Sequence, residues 1–128
     1  MESSNKEIKI LVVDDDSGPL FFIEDILTAA EYSIVTANSG NSALRLIKQS
    51  MPDLLITDIV MDDGDGTNLI LELRKISDIP VLAISGGNIG FGADYLEMAL
   101  SFGANGILSK PFYRKELLDK VSRLLAKD

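Results

Sequence analysis

Five short apolar runs rich in β-branched residues recur at regular intervals along the chain, at 8–13, 33–37, 54–57, 80–84 and 106–109. The first, third and fourth are almost continuously apolar, as expected of strands buried on both faces of a parallel sheet. Between the runs, apolar residues recur at three-and-four spacing, the period of a helix with one buried stripe. Leu20, Ile23, Ile26, Leu27 and Ala30 mark a first helix, and Ala43, Leu44 and Ile47 a second. Leu69, Ile70, Leu73 and Ile76 mark a third, Leu96, Ala99 and Leu100 a fourth, and Leu117, Leu118, Val121, Leu124 and Leu125 a fifth. Such stripes are core. Pro19 suits the first turn of the first helix, Ser39-Gly40 can start the second, Thr67 can cap the third and Gly103 can end the fourth.

Five strands alternating with five helices predict an α/β domain of three layers. At this size the expected architecture is a doubly wound, five-stranded parallel sheet in the order 2-1-3-4-5, a flavodoxin-like fold. Residues 1–128 read as a single domain, with 1–6 a flexible N-terminal extension. The units share a period but no repeated motif, which excludes a solenoid. In such sheets ligands bind outside the carboxyl ends of the strands, where the first and third strands lie side by side.

Composition narrows the chemistry. Apolar residues make up 46% of the 128, ordinary for a folded domain. Twelve Lys and Arg stand against 20 Asp and Glu, for a net charge of −8. That balance argues against direct contact with nucleic acid, which needs a basic face. Cysteine and histidine are both absent. This excludes a disulfide framework, a thiolate zinc site, a Ser-His-Asp triad and a Cys-His pair. No apolar run approaches the ~18 residues of a membrane span, and the first six residues hold no apolar signal core. The expectation is a cytoplasmic protein without membrane attachment.

The residues that follow the strands carry the functional signal. Asp14, Asp15 and Asp16 follow the first, Asp58 the third, Ser85 the fourth and Lys110-Pro111 the fifth. Four carboxylates, a hydroxyl and an ammonium are thus expected on one rim. Any one of them alone would be an ordinary polar loop residue. Two carboxylates about 4 Å apart repel by roughly 4 kcal/mol at an effective dielectric near 20. Asp14, Asp15 and Asp58 bring three negative charges and Lys110 returns one, so a divalent cation would complete the balance. The donors are hard oxygens, which select Mg²⁺ or Mn²⁺ over zinc. Mg²⁺ keeps waters and phosphate oxygens in its shell, so the rim suits phosphoryl chemistry. A carboxylate there can act as nucleophile and form an aspartyl phosphate.

At this point the chain resembles the response-regulator receiver domains of two-component signalling, of the chemotaxis-type single-domain kind, over nearly its full length. The resemblance rests on Val12-Val13-Asp14-Asp15, the stretch from Pro52 to Met61, Asp65-Gly66, Ile84-Ser85-Gly86 and Lys110-Pro111-Phe112. It implies that Asp58 is the phosphoacceptor and that Asp15, Asp58 and the main-chain carbonyl of Val60 ligate Mg²⁺, with Asp14 acting mostly through water. It implies that Ser85 is the switch hydroxyl and that Lys110 contacts the phosphoryl group. The implied donor is a phosphohistidine on a sensor histidine kinase or a histidine phosphotransfer protein, and the implied output is binding of a downstream protein target. The chain would then be a signalling phosphoacceptor that assists its own phosphorylation and dephosphorylation, and not an enzyme acting on a separate substrate.

Three positions depart from that pattern. Asp62 stands where a proline is usual, Ile107 where an aromatic switch residue is usual, and the segment from Gly86 to Gly92 is unusually rich in glycine. An isoleucine has no ring to swing, so the glycine-rich segment becomes the expected moving part. Rival readings fail on sequence. Asp63-Gly64-Asp65-Gly66-Thr67 looks like the nucleophile motif of a Mg²⁺-dependent aspartate phosphatase, but it does not directly follow a buried strand. As a calcium loop it would place Met61 at the first ligand position. A flavin carrier would not place three aspartates at its phosphate loop. Output stays open between a stand-alone receiver, an intermediate in a phosphorelay and a receiver cut from a longer protein.

Overall fold

The computed structural model describes residues 8–61, 66–85 and 92–126, with the backbone alone for 92–96. The elements alternate strictly: β1 (Lys9–Val13), α1 (Ser17–Ala29), β2 (Ser33–Ala37), α2 (Gly40–Gln49), β3 (Leu54–Asp58), α3 (Gly66–Arg74), β4 (Val81–Ser85), α4 (Gly92–Phe102), β5 (Gly106–Ser109) and α5 (Arg114–Ala126). The strands form one parallel sheet in the order β2-β1-β3-β4-β5. This is the doubly wound architecture that the alternation predicts.

Burial follows sheet position. Every residue of β3 and β4 is buried, and only Lys9 of β1 is not, whereas the edge strands β2 and β5 are partly exposed. Alternation along each strand divides the core in two. Ile10, Val12, Leu54, Ile56, Leu82 and Ile84 pack with Ile23, Ile26 and Leu27 of α1 and with Leu117 and Val121 of α5. Leu11, Val13, Leu55, Val81 and Ala83 pack with Ala43 and Ile47 of α2, Leu69, Ile70 and Leu73 of α3, and Ala99 of α4.

Local chemistry sets the helix ends. Asp16 caps α1 by accepting the Gly18 N–H, and Ser39 caps α2 by accepting the Ser42 N–H. Pro19 lies in the first turn of α1 as expected. Thr67 is not a cap: it lies inside α3, buried in its first turn. The cause is Gly66, whose N–H donates to the Ile59 carbonyl and whose Cα sits so close to Asp58 that a Cβ would come within 2.2 Å of the Asp58 carbonyl oxygen. Ile76 lies beyond the helix and is half exposed, because α3 stops at Arg74. The Arg74 guanidinium donates to the Ser77 and Gly103 carbonyls and to Asn105 Oδ1, tying that end to the turn before β5. Leu100 is also exposed, to a little under half; Ala99 alone of that pair fills the core. The expected extension at 1–6, Asp62, Asp63 and Asp65, and the glycine-rich stretch 86–91 lie outside the described residues.

Two helices end in the same Schellman turn, with different residues at its left-handed position. After α4 that position is Gly103, at φ 122°, with Gly103 N–H bonded to the Leu100 carbonyl and Ala104 N–H to that of Ala99. After α1 it is Glu31, at φ 75°, with Glu31 N–H bonded to the Thr28 carbonyl and Tyr32 N–H to that of Leu27. A side chain in this region costs about 1–2 kcal/mol, offset in part by glycine's greater freedom in the unfolded chain. Glu31→Gly is therefore expected to stabilise the protein by about 0.5–1 kcal/mol, read as a melting temperature raised by ~2–5 °C.

Candidate functional site

The sheet order puts β1 and β3 side by side with opposite directions of chain crossing beyond them, so their carboxyl ends face an open rim. The last β1–β3 pair is Val13 with Thr57, and the next residue on each strand is an aspartate. Asp14 and Asp58 are both buried, while Asp15 is exposed. Asp14, Asp15 and Asp58 each offer a carboxylate oxygen, and these oxygens lie within 4.8 Å of one another.

Lys110 reaches this cluster from the end of β5. Its Nζ lies 3.1 Å from Asp14 Oδ2 and 3.4 Å from Asp58 Oδ2, with a fifth of its side chain exposed. Its backbone N–H donates to the Ser85 carbonyl at 2.8 Å, and the Lys110–Pro111 peptide is cis. Ser85 is buried at the end of β4, one residue past Ile84, the register partner of Asp58. The turn after β3 is pinned as well: Val60 N–H donates to Asp58 Oδ1 at 3.3 Å, and the Val60 residue is half exposed. Asp16, expected on the rim with the others, is used differently. Its carboxylate caps α1, and its N–H donates to Asp14 Oδ1 at 2.9 Å.

Electrostatics ranks these groups. Burial pushes the Asp58 carboxyl above its usual 3.8; the Lys110 ammonium pulls it back in part, and the Asp14 charge adds to the rise. For Lys110, burial works against the charged form, but Asp58 and Asp14 outweigh it and hold the ammonium above its usual 10.5. One ammonium thus serves two buried carboxylates, with a third alongside. The donor set is all oxygen and close enough to share one ion, which fits a hard divalent cation such as Mg²⁺.

Beside the cluster is an open, mainly apolar depression of about 560 Å³ lined by Gly18, Pro19, Phe22, Lys110, Pro111 and Phe112. Phe22 and Phe112 meet with ring centroids 5.9 Å apart. Sequence reasoning assigned Phe22 no role; its neighbours in the helical stripe are core residues, and only folding shows that it faces outward.

A doubly wound parallel sheet that gathers three aspartates, a lysine and a buried serine at its switch point defines a class of small α/β domain built for phosphoryl chemistry on a carboxylate. Residues 10–122 match the response regulator receiver domain family, and the chain belongs to that family. It is 38% identical over 117 residues to a protein of Guillardia theta named "Probable transcriptional regulator ycf27", covering 91% of this chain and 45% of that one. It is 34% identical over 126 residues to the transcriptional regulatory protein PrrA of Mycobacterium tuberculosis, covering 98% of this chain and 53% of that one. The chain thus spans about half the length of these relatives. Its structure is similar to the crystal structure of the receiver domain of NtrX from Brucella abortus, with a TM-score of 0.87 and 30% identity over 93% of this chain and 99% of that one. The domain is therefore a response-regulator receiver of two-component signalling. Among the described residues, no helix is long and apolar enough to cross a membrane.

The raised Asp58 fixes the sign of a pH effect. The folded protein holds that proton more tightly than the unfolded chain, so ionised Asp58 weakens the fold. Without divalent cation, Asp58→Asn is expected to raise stability by about 1 kcal/mol, a few degrees of melting temperature. The gain should vanish below the usual carboxylate value of 3.8 and grow as pH climbs through the raised folded value. Thermal melts of both proteins across pH check this. Added Mg²⁺ should stabilise the wild type, and Asp15→Ala should blunt that gain.

Proposed function

We propose that the chain takes a phosphoryl group from a phosphohistidine onto Asp58, with Mg²⁺ as cofactor, and that the modified rim switches a protein-binding surface. The observation that carries this reading is the position of Asp58: buried at the end of the central strand, its carboxylate paired with Lys110 and close beside those of Asp14 and Asp15. Asp14, Asp15, Asp58 and the Val60 carbonyl are the groups that would hold Mg²⁺; Mn²⁺ has the same donor preference. The ion would offset negative charge on the transferring group.

An Asp58 carboxylate oxygen attacks phosphorus, the P–N bond to the donor imidazole breaks, and the imidazole leaves with a proton from solvent. Lys110, held by Asp14 and Asp58 before transfer, moves its charge onto the phosphoryl oxygens as they arrive. Ser85 supplies a hydroxyl to the same group. The chain promotes these steps on its own side chain, which makes it a signalling domain rather than an enzyme with a separate substrate. The donor is a sensor histidine kinase or a histidine phosphotransfer protein; this chain has no histidine of its own. The apolar depression formed by Pro19, Phe22, Pro111 and Phe112 gives the donor protein a seat beside Lys110.

The relatives named as transcriptional regulators are about twice as long as this chain. A net charge of −8 disfavours direct contact of this domain with nucleic acid and supports a protein target for it.

Incubation with acetyl phosphate and Mg²⁺ is expected to add one phosphoryl group, seen by intact mass, and Asp58→Asn to abolish it. Full labelling of that variant would overturn the assignment. Lys110→Ala should destabilise the metal-free protein by about 2 kcal/mol, because two buried carboxylates lose their counter-charge. With Mg²⁺ present its melting temperature should approach that of the wild type, while the amide-shift response to beryllofluoride is lost.

A further inference from the structure

Thr57 is the one polar side chain in the fully buried strand β3 apart from Asp58 itself. Its register partners are Val13 and Ala83, which belong to the core under α2, α3 and α4. By strand alternation its side chain leaves the sheet on the face opposite to that of Asp58. It therefore touches neither the carboxylate cluster nor anything bound there. Yet its hydroxyl is fully buried and donates to the Asp58 carbonyl oxygen at 2.8 Å.

That oxygen belongs to the first of two peptide units that carry the chain from Asp58 to Val60. Each unit is held on both sides. In the first, Thr57 Oγ1 donates to the Asp58 carbonyl, and Ile59 N–H donates to the Ile84 carbonyl at 3.0 Å. In the second, Gly66 N–H donates to the Ile59 carbonyl at 2.9 Å, and Val60 N–H donates to Asp58 Oδ1. Gly66 also presses on the Asp58 carbonyl from outside, where any Cβ would clash. Of the four hydrogen bonds, the one from Thr57 is the only one donated by a side chain. The Val60 bond ends on the Asp58 carboxylate itself, so the Thr57 bond is the one that a substitution can remove while leaving both the backbone ladder and that carboxylate in place.

We infer that Thr57 is a positioning residue: by holding the Asp58 carbonyl from behind the sheet, its hydroxyl fixes the orientation of the Asp58 carboxylate and of the Val60 carbonyl toward a divalent cation. This rests on the reading of Asp58, Asp15 and Val60 as the Mg²⁺-binding groups. Partners of this kind, one bond removed from the ligands, commonly change metal affinity by about 10- to 100-fold.

Two variants separate positioning from packing. Thr57→Val keeps the shape of the side chain and removes the hydroxyl. Thr57→Ser keeps the hydroxyl and leaves a methyl-sized gap in the core. Mg²⁺ affinity is read by amide-shift titration and labelling rate by acetyl phosphate. Thr57→Val is expected to bind Mg²⁺ about tenfold more weakly and to label more slowly. Thr57→Ser is expected to bind Mg²⁺ as the wild type does, although it melts at a lower temperature. Wild-type affinity in Thr57→Val, or equal loss in both variants, would overturn the inference. If the wild type itself bound no Mg²⁺, the reading of the metal site would fail instead. Amide exchange at Ile59 and Val60 would then decide Thr57 alone: faster in Thr57→Val than in Thr57→Ser supports it, and equal rates overturn it.

Discussion

Three carboxylates converge where two buried strands end, and one ammonium answers them. Most of what is distinctive about this domain follows from that imbalance. Asp14 and Asp58 are buried, so water cannot screen their repulsion well, and burial raises the Asp58 proton affinity despite the nearby cation. Lys110 is drawn in from β5 and shared between both, which leaves its own proton held more tightly than usual. A fold that stabilised itself alone would not place these charges together. The arrangement makes sense as a site held ready for a divalent cation and a phosphoryl group, each of which changes the charge balance of the rim.

The rest of the molecule keeps those charges from relaxing apart. Parallel pairing on both sides locks β3 between β1 and β4, and two apolar cores clamp the sheet from opposite faces. Close packing leaves the buried Asp14 and Asp58 little room to retreat. The turn after Asp58 is fixed by main-chain bonds to Ile84 and Gly66 and by the Thr57 hydroxyl, so the carboxylate is delivered by a rigid frame. At the other end of the sheet, Arg74 and Asn105 bind the end of α3, the turn after α4 and the start of β4 into one network. Helix α4, anchored at Gly103, lies between these two ends.

Much of this was legible in the sequence, because the two strongest signals are local. Period-two and near-continuous apolar runs identify strands, period-3.6 stripes identify helices, and their alternation leaves few topologies open. Once β1 and β3 are neighbours, residues that directly follow them must share a rim, and Asp14, Asp15 and Asp58 could be placed together without coordinates. Lys110 followed for the same reason at the end of β5. Ser39, Pro19 and Gly103 carried their roles in their own backbone chemistry.

What the sequence alone determined, then, is the order of elements, the faces they bury and the identity of the charged groups at the strand ends, since all of these depend on near neighbours along the chain. Only tertiary structure decided which carboxylate does what. Asp16 looks like its two predecessors in sequence, but the start of α1 claims it as a cap, and it leaves the cluster. Thr67 looks like a cap, but Gly66 packs on Asp58 and draws the first turn of α3 inward. Ile76 continues a stripe that Arg74 ends by binding across to Gly103 and Asn105, residues far along the chain. Thr57 reads as one more β-branched strand residue until its hydroxyl is seen on the Asp58 carbonyl. In each case the deciding contact is made across elements or around a turn, and hydrophobic periodicity carries no record of such contacts.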